Sequence, residues 1–160
     1  MNQEYFSVAL SSDINLAIPL DNMGTAIQVE TKNICVIPGV AEFWYGAVNF
    51  KGSLLWVLDS NRYFNLNHKQ DRYQKKLTAV IIKKNQADDS QKLALIALKL
   101  QGIVALESEQ LELLSSNNSE SSLQKCCSAI AERQTKRTFI LNPASLLEQL
   151  HQQHVLTTPA

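Results

Sequence analysis

Few residues of this 160-residue chain stand at spacings that could do chemistry. His151 and His154 are three apart, so on a helix they would share one face, as a pair of metal ligands does. Only Glu148 lies close, and no cysteine or aspartate completes a set, so they read as a solvated helix face. Cys126 and Cys127 are adjacent and lack the Cys-x-x-Cys spacing of redox pairs. Asp88-Asp89 falls in a polar stretch and reads as a solvated turn. His68 has no partner in its polar surroundings. No Gly-x-Ser-x-Gly elbow, phosphate loop or dinucleotide fingerprint occurs. No catalytic residue, metal or cofactor is expected.

The composition narrows the classes further. Fifteen basic and fifteen acidic residues give zero net charge. That removes the long-range attraction on which phosphate-backbone binding rests, so no nucleic-acid partner is expected. No run approaches the roughly 20 apolar residues of a membrane helix. The start, Met1-Asn2-Gln3-Glu4, lacks a basic region before an apolar run and is no secretory signal. An odd number of cysteines, two of them neighbours, reads as reduced thiols in a cytoplasmic protein.

The elements that must position anything functional are mostly strands. Ile14, Leu16, Ile18 and Leu20 alternate with Asn15, Ala17 and Pro19, the pattern of a half-buried strand. Thr25 to Glu30 and Ile34 to Ile37 are short and β-branched, and Pro38-Gly39 is a turn signal. Gly46 to Phe50 and Ser53 to Leu58 flank a tight turn at Lys51-Gly52, where Gly52 supplies a positive φ. Residues 65 to 76 are polar and read as a joint between two halves. Leu77 to Lys83 and Lys92 to Leu106 then form a second strand set around the polar loop Asn85 to Gln91, with Gly102 marking a bulge. A helix over Lys92 to Leu106 fits Leu93, Ile96 and Leu100, but the hairpin needs a strand. Residues 115 to 122 form a low-complexity polar loop. Two short strands, about Cys126 to Glu132 and Arg137 to Leu141, precede a helix over 143–153. Asn142 is its N-cap, Pro143 its first residue, and Leu146, Leu147 and Leu150 its apolar face. The tail from Val155 has no reason to be ordered. Two groups of short strands with a closing helix predict a mostly β fold of two small barrels packed together in one domain over 1–160. The first barrel is expected over about 14–64 plus terminal segments, the second over about 77–141.

The segment from Ile37 to Phe64, IPGVAEFWYGAVNFKGSLLWVLDSNRYF, carries the most specific signal. It resembles the signature of the CheW family, the adaptors that couple chemoreceptors to a histidine kinase. There an aromatic precedes Gly-Val-Ile-Asn-Leu-Arg-Gly and an apolar strand ending in Asp-Leu. Phe43, Gly46-Ala47-Val48-Asn49-Phe50-Lys51-Gly52 and Val57-Leu58-Asp59 stand at the matching offsets. The resemblance extends more weakly to Leu95–Val104, where the family's strand Asp is absent. It implies two five-stranded, Src-homology-3-like barrels and a scaffold that performs no chemistry. The implied partners are the cytoplasmic tip of a methyl-accepting type chemoreceptor, docked in the groove between barrels, and a CheA-like histidine kinase on one barrel surface.

On this reading the partner-binding residues are Lys51, Asn49, Tyr45, Trp44 and Phe50, with Gly46 and Gly52 as structural turn residues. Three consecutive aromatics on an extended segment point alternately to both faces, so not all three are expected in the core. Phe43 is expected to pack inside, and Tyr45 is a candidate for partner contact. Trp56 is expected to pack. Lys51 replaces the family's Arg, a point charge in place of a two-pronged donor. Phe50 and Ser60 each replace a Leu. Such departures suggest a divergent adaptor, in flagellar chemotaxis or a pilus-motility pathway. Two rivals remain open. One is a β-barrel that binds a small ligand or acts as an enzyme, which would need a cavity with convergent polar groups. The other is a detached regulatory domain of a chemotaxis kinase; the lack of any phosphotransfer or ATP-binding segment favours the free-standing adaptor.

Overall fold

The computed structural model describes residues 2–66, 74–114, 121–133 and 135–152, with backbone alone at 88–90, 133 and 152. Eleven strands form two sheets among them. The central sheet holds β3 (Met23–Glu30), β4 (Trp44–Phe50), β5 (Ser53–Leu58), β6 (Lys76–Asn85) and β7 (Asp88–Ala97), in the order β3-β6-β7-β5-β4. The terminal sheet holds β1 (Asn2–Ala9), β2 (Ile14–Pro19), β8 (Lys99–Glu107), the two-residue β9 (Glu112–Leu113), β10 (Cys127–Arg133) and β11 (Lys136–Leu141), in the order β8-β1-β2-β11-β10-β9. Neighbours are antiparallel except β2 with β11 and β5 with β7. The expected fold of two small barrels with a C-terminal helix is the one observed.

The barrels do not divide the chain at the polar joint, as the expected ranges 14–64 and 77–141 would have it. β2 belongs with β11, and β6 pairs with β3 across that joint. The central barrel is thus one stretch, 23–97, and the terminal barrel is assembled from both sides of it. Leu98 alone separates β7 from β8, and its N–H donates to the Ala9 carbonyl at 2.8 Å. Lys92 to Leu106 is therefore two strands in two barrels, not one. The bulge at Gly102 is present: Ser7 faces Gly102 while Val8 faces Leu100, leaving Gln101 as the extra residue. The expected strand Ile34–Ile37 is reduced to a single bridge, Cys35 with Ala47. The expected loop 85–91 is a tight turn, so Asp88 and Asp89 open β7.

Strands β5, β6 and β7 carry buried residues on both faces, which explains their continuous apolar runs. In β5, Leu55 and Val57 point into the central barrel while Trp56 and Leu58 point out of it. The outward set joins Val8, Leu16, Ile18, Val80, Ile82, Leu93 and Leu95 in a layer between the barrels. Helix α3 (Pro143–Gln152) seals that layer with Leu146, Leu147 and Leu150, all buried. The Asn142 cap is real, its Oδ1 accepting from the Ser145 N–H at 3.2 Å. Of the polar stretches, 67–73 (with His68), 115–120, His154 and the tail from Val155 lie outside the described residues. Ser121, at the edge of one, caps the short helix α2 (Ser122–Lys125) by accepting from the Gln124 N–H.

Candidate functional site

The β4–β5 hairpin ends in a two-residue turn with both residues left-handed, Lys51 at φ 52° and Gly52 at φ 82°. This geometry matches the twist of the flanking strands. Gly52 takes it without cost, whereas Lys51 bears the strain of a side chain there. Asn49 Oδ1 accepts from the Gly52 N–H at 3.0 Å, so Asn49 is committed to holding the turn. Lys51 is exposed, and its Nζ stands 5.3 Å from the centroid of the Phe50 ring.

The edges of the central sheet are β3 and β4, and between them lies an open seam of about 530 Å³. Ile27, Val29, Val48 and Phe50 line it, with Glu30, Asn33 and Lys76 at its rim. The half-buried Phe50 links this seam to the hairpin tip. No sequence signal marks the β3 side, because a seam between strands that do not pair leaves no local pattern.

The aromatic triplet departs from strict alternation at the β4 bulge, and one of its residues needs correction. Trp44 is only 5% exposed and packs on Trp56 at 5.3 Å between ring centroids, so it is a core residue and presents no partner surface. Phe43 is half-buried against Trp44 and Tyr63. Tyr45 is half-buried on the other side, beside the central barrel interior, and burial raises its phenol pKa. Gly46 is not in a turn. A bulge at Tyr45 lets Trp44 face Leu58 and Gly46 face Val57. Gly46 has φ 149°, and a Cβ there would stand 2.4 Å from the Cys35 carbonyl oxygen. The glycine is required by close approach of the Cys35 segment.

Past the strand, Asp59 caps the one-turn helix α1 (Ser60–Tyr63) by accepting from the Arg62 N–H. Burial raises the Asp59 carboxyl pKa, and this hydrogen bond with the nearby Arg62 charge works against the rise. Ser60, in place of the family's Leu, is buried and donates from Oγ to the Ile96 carbonyl. It ties α1 to β7 by a hydrogen bond where a leucine would pack.

A second surface lies where the barrels meet. A cleft of about 290 Å³ is lined by Ala26, Ile27 and Gln28 of β3, Thr78 of β6, and Leu98, Lys99 and Leu100. Leu98 is 49% exposed and Ile103, on the same face of β8 as Leu100, is 63% exposed. These residues extend the apolar layer between the barrels out to the surface. The apolar run Lys92 to Leu106 does not by itself tell buried from exposed leucines and isoleucines, because exposure depends on what the neighbouring barrel covers.

The other chemistry candidates are structural. Cys126 and Cys127 are buried, and burial pushes the Cys126 thiol up to about 12 and raises that of Cys127. The Cys126 Sγ and the Tyr63 hydroxyl both donate to Gln149 Oε1 at 3.3 Å, fastening α3. His151 is exposed on the last turn of α3, and no metal-ligating cluster exists among the described residues.

Among curated proteins no sequence matches the chain. Solved structures of the same fold include the scaffolding protein TtCheW from Thermoanaerobacter tengcongensis. The two are 17% identical, with a TM-score of 0.69 over 88% of this chain and 89% of that one. The family model described as the CheW-like domain matches residues 4–151, which takes in both barrels and nearly all of α3. On that match the chain belongs to the CheW-like domain family.

Proposed function

We propose that the protein is a non-enzymatic cytoplasmic adaptor that couples a methyl-accepting type chemoreceptor to a CheA-like histidine kinase. The observation that carries this reading is the apolar strip Leu98, Leu100 and Ile103 beside the inter-barrel cleft. Exposed apolar side chains that continue a core layer mark a docking surface. A receptor tip helix would lay its apolar face there. The kinase regulatory domain would meet the central barrel at the hairpin tip, through Lys51, Phe50 and the β3–β4 seam. Bridging the two lets receptor conformation bias the kinase with no reaction on the adaptor.

Co-purification of the full chain with a folded receptor tip and a folded kinase regulatory domain tests the reading. Both should be retained. Leu100→Asp should release the receptor and keep the kinase, since it places a charge in an apolar contact. Failure to retain either partner at stoichiometric concentrations overturns the adaptor reading.

A further inference from the structure

The inward face of the terminal sheet changes character along the strands. At one end Tyr5, Ala17, Leu106, Ala129 and Ile140 pack as a small apolar core. At the other, the same faces of the same strands carry Ser7, Asn15 and Thr138, with Lys136 beyond. These polar residues open on a cavity of about 640 Å³, within the range of small-molecule sites. Val104, Leu106 and Ala131 form its apolar floor.

Gln101 reaches this cavity because of the β8 bulge. As the extra residue between Leu100 and Gly102 it escapes strict alternation, and Gly102 takes the left-handed φ of 96° beside it. The hydrogen bonds that result run in one direction. Ser7 Oγ donates to Gln101 Oε1 at 2.6 Å, and Gln101 Nε2 donates to Asn15 Oδ1 at 3.2 Å. Each amide carbonyl oxygen thereby accepts one hydrogen bond within the cavity. The donors at the mouth are the Asn15 amide, the Thr138 hydroxyl and the Lys136 ammonium, the last a full positive charge. No Asp or Glu is among the residues lining the cavity, and Lys136 has no ion pair among the described residues.

We propose that the mouth of the terminal barrel binds a small organic carboxylate on a short apolar stem. The carboxylate would accept from Lys136, Asn15 and Thr138, and the stem would lie on Val104, Leu106 and Ala131. An acidic side chain of a protein partner offers the same chemistry; the open but short floor favours the free acid. The inference is independent of the adaptor surfaces, which lie on the central barrel and between the barrels.

The test is an amide-shift titration of the full isotopically labelled chain with hexanoate, matched against hexanol and against a peptide bearing one glutamate. Hexanoate should shift Asn15, Gln101 and Thr138 saturably and bind at least about tenfold more tightly than hexanol, as a charge-assisted contact requires. Lys136→Met and Gln101→Glu both alter exposed side chains and should each weaken hexanoate by about that factor, with unchanged melting temperatures. Gln101→Glu puts a negative charge where the amide stood. Equal binding of hexanol, shifts confined to other surfaces, or unchanged affinity in Lys136→Met would overturn the proposal. Tighter saturation of the same resonances by the peptide would overturn the assignment to a small acid.

Discussion

Among the described residues, the central barrel fills its interior with nine buried apolar side chains, including Leu55, Val57 and Ile81, whereas the terminal barrel has five. The first is built from consecutive strands of one stretch of chain. The second pairs strands 123 residues apart in sequence, as Ile14 faces Arg137, and part of its inward face is polar. The contrast teaches that a shared architecture does not require a shared interior. Where apolar volume fills the barrel, the fold is held there. Where it stops short, room and hydrogen-bonding groups are left over.

Cysteines give the sharpest way to test where the chain is closed. Cys35 is exposed against β4, while Cys126 and Cys127 are buried where the terminal barrel meets α3. With its thiol pushed from the usual 9.0 to about 12, Cys126 holds roughly a thousandfold less thiolate near pH 8. A thiol-reactive dye should label one site per folded chain and three after denaturation. The raised thiol pKa also fixes a sign: this contribution to stability is complete below 9.0 and is lost as pH rises through about 12. Fast labelling of two or more thiols in the folded chain would show that α3 does not seal the layer.

The two interiors should differ next. Leu55→Ala empties a site in the filled barrel and should cost about 4 kcal/mol. Ile140→Ala empties a site in the smaller core of the terminal barrel, where fewer apolar neighbours are lost, and should cost about 2 kcal/mol. Equal shifts in the denaturant midpoint, with equal slopes, would remove the distinction between the barrels.

Glycines sharpen it further. Gly46→Ala forces a Cβ against the Cys35 carbonyl and should cost about 3 kcal/mol. Gly102→Ala and Gly52→Ala meet open space and carry only the left-handed strain, about 1 kcal/mol. Similar melting temperatures for all three variants would contradict the close approach at Gly46.

The smallest effect is expected at Lys51. Lys51→Asn suits its left-handed φ and should stabilise by about 0.5 kcal/mol, while Lys51→Glu should leave the melting temperature unchanged. On the proposed function, Lys51→Glu weakens kinase binding and Lys51→Arg keeps it. Unchanged affinity in Lys51→Glu would leave this lysine a solubilising turn residue.

Much of the scaffold is legible in the chain itself. Alternation in Ile14–Pro19, the Lys51-Gly52 turn, the Gly102 bulge, the Asn142 cap and the leucine face of α3 are local features, set by the period and by backbone sterics within a few residues. The signature around Gly46 to Gly52 is also local, and it pointed to the family. Trp44 is core and not partner surface because local pattern does not show whether a second barrel covers the side a residue faces.

Local pattern in the chain thus carries most of the strands, the hairpin turn, the closing helix and the family, while β1 and α2 stand outside it. Three-dimensional packing decided how strands are shared between the barrels, because β2 with β11 and β3 with β6 pair through backbone hydrogen bonds that carry no side-chain signature. It also decided which apolar side chains stay at the surface, as Leu98 and Ile103 do, since exposure depends on what the neighbouring barrel reaches. The polar mouth belongs to the same class: Ser7, Asn15, Gln101, Lys136 and Thr138 lie on four strands far apart in the chain, and no spacing rule connects groups that meet only when a sheet curls.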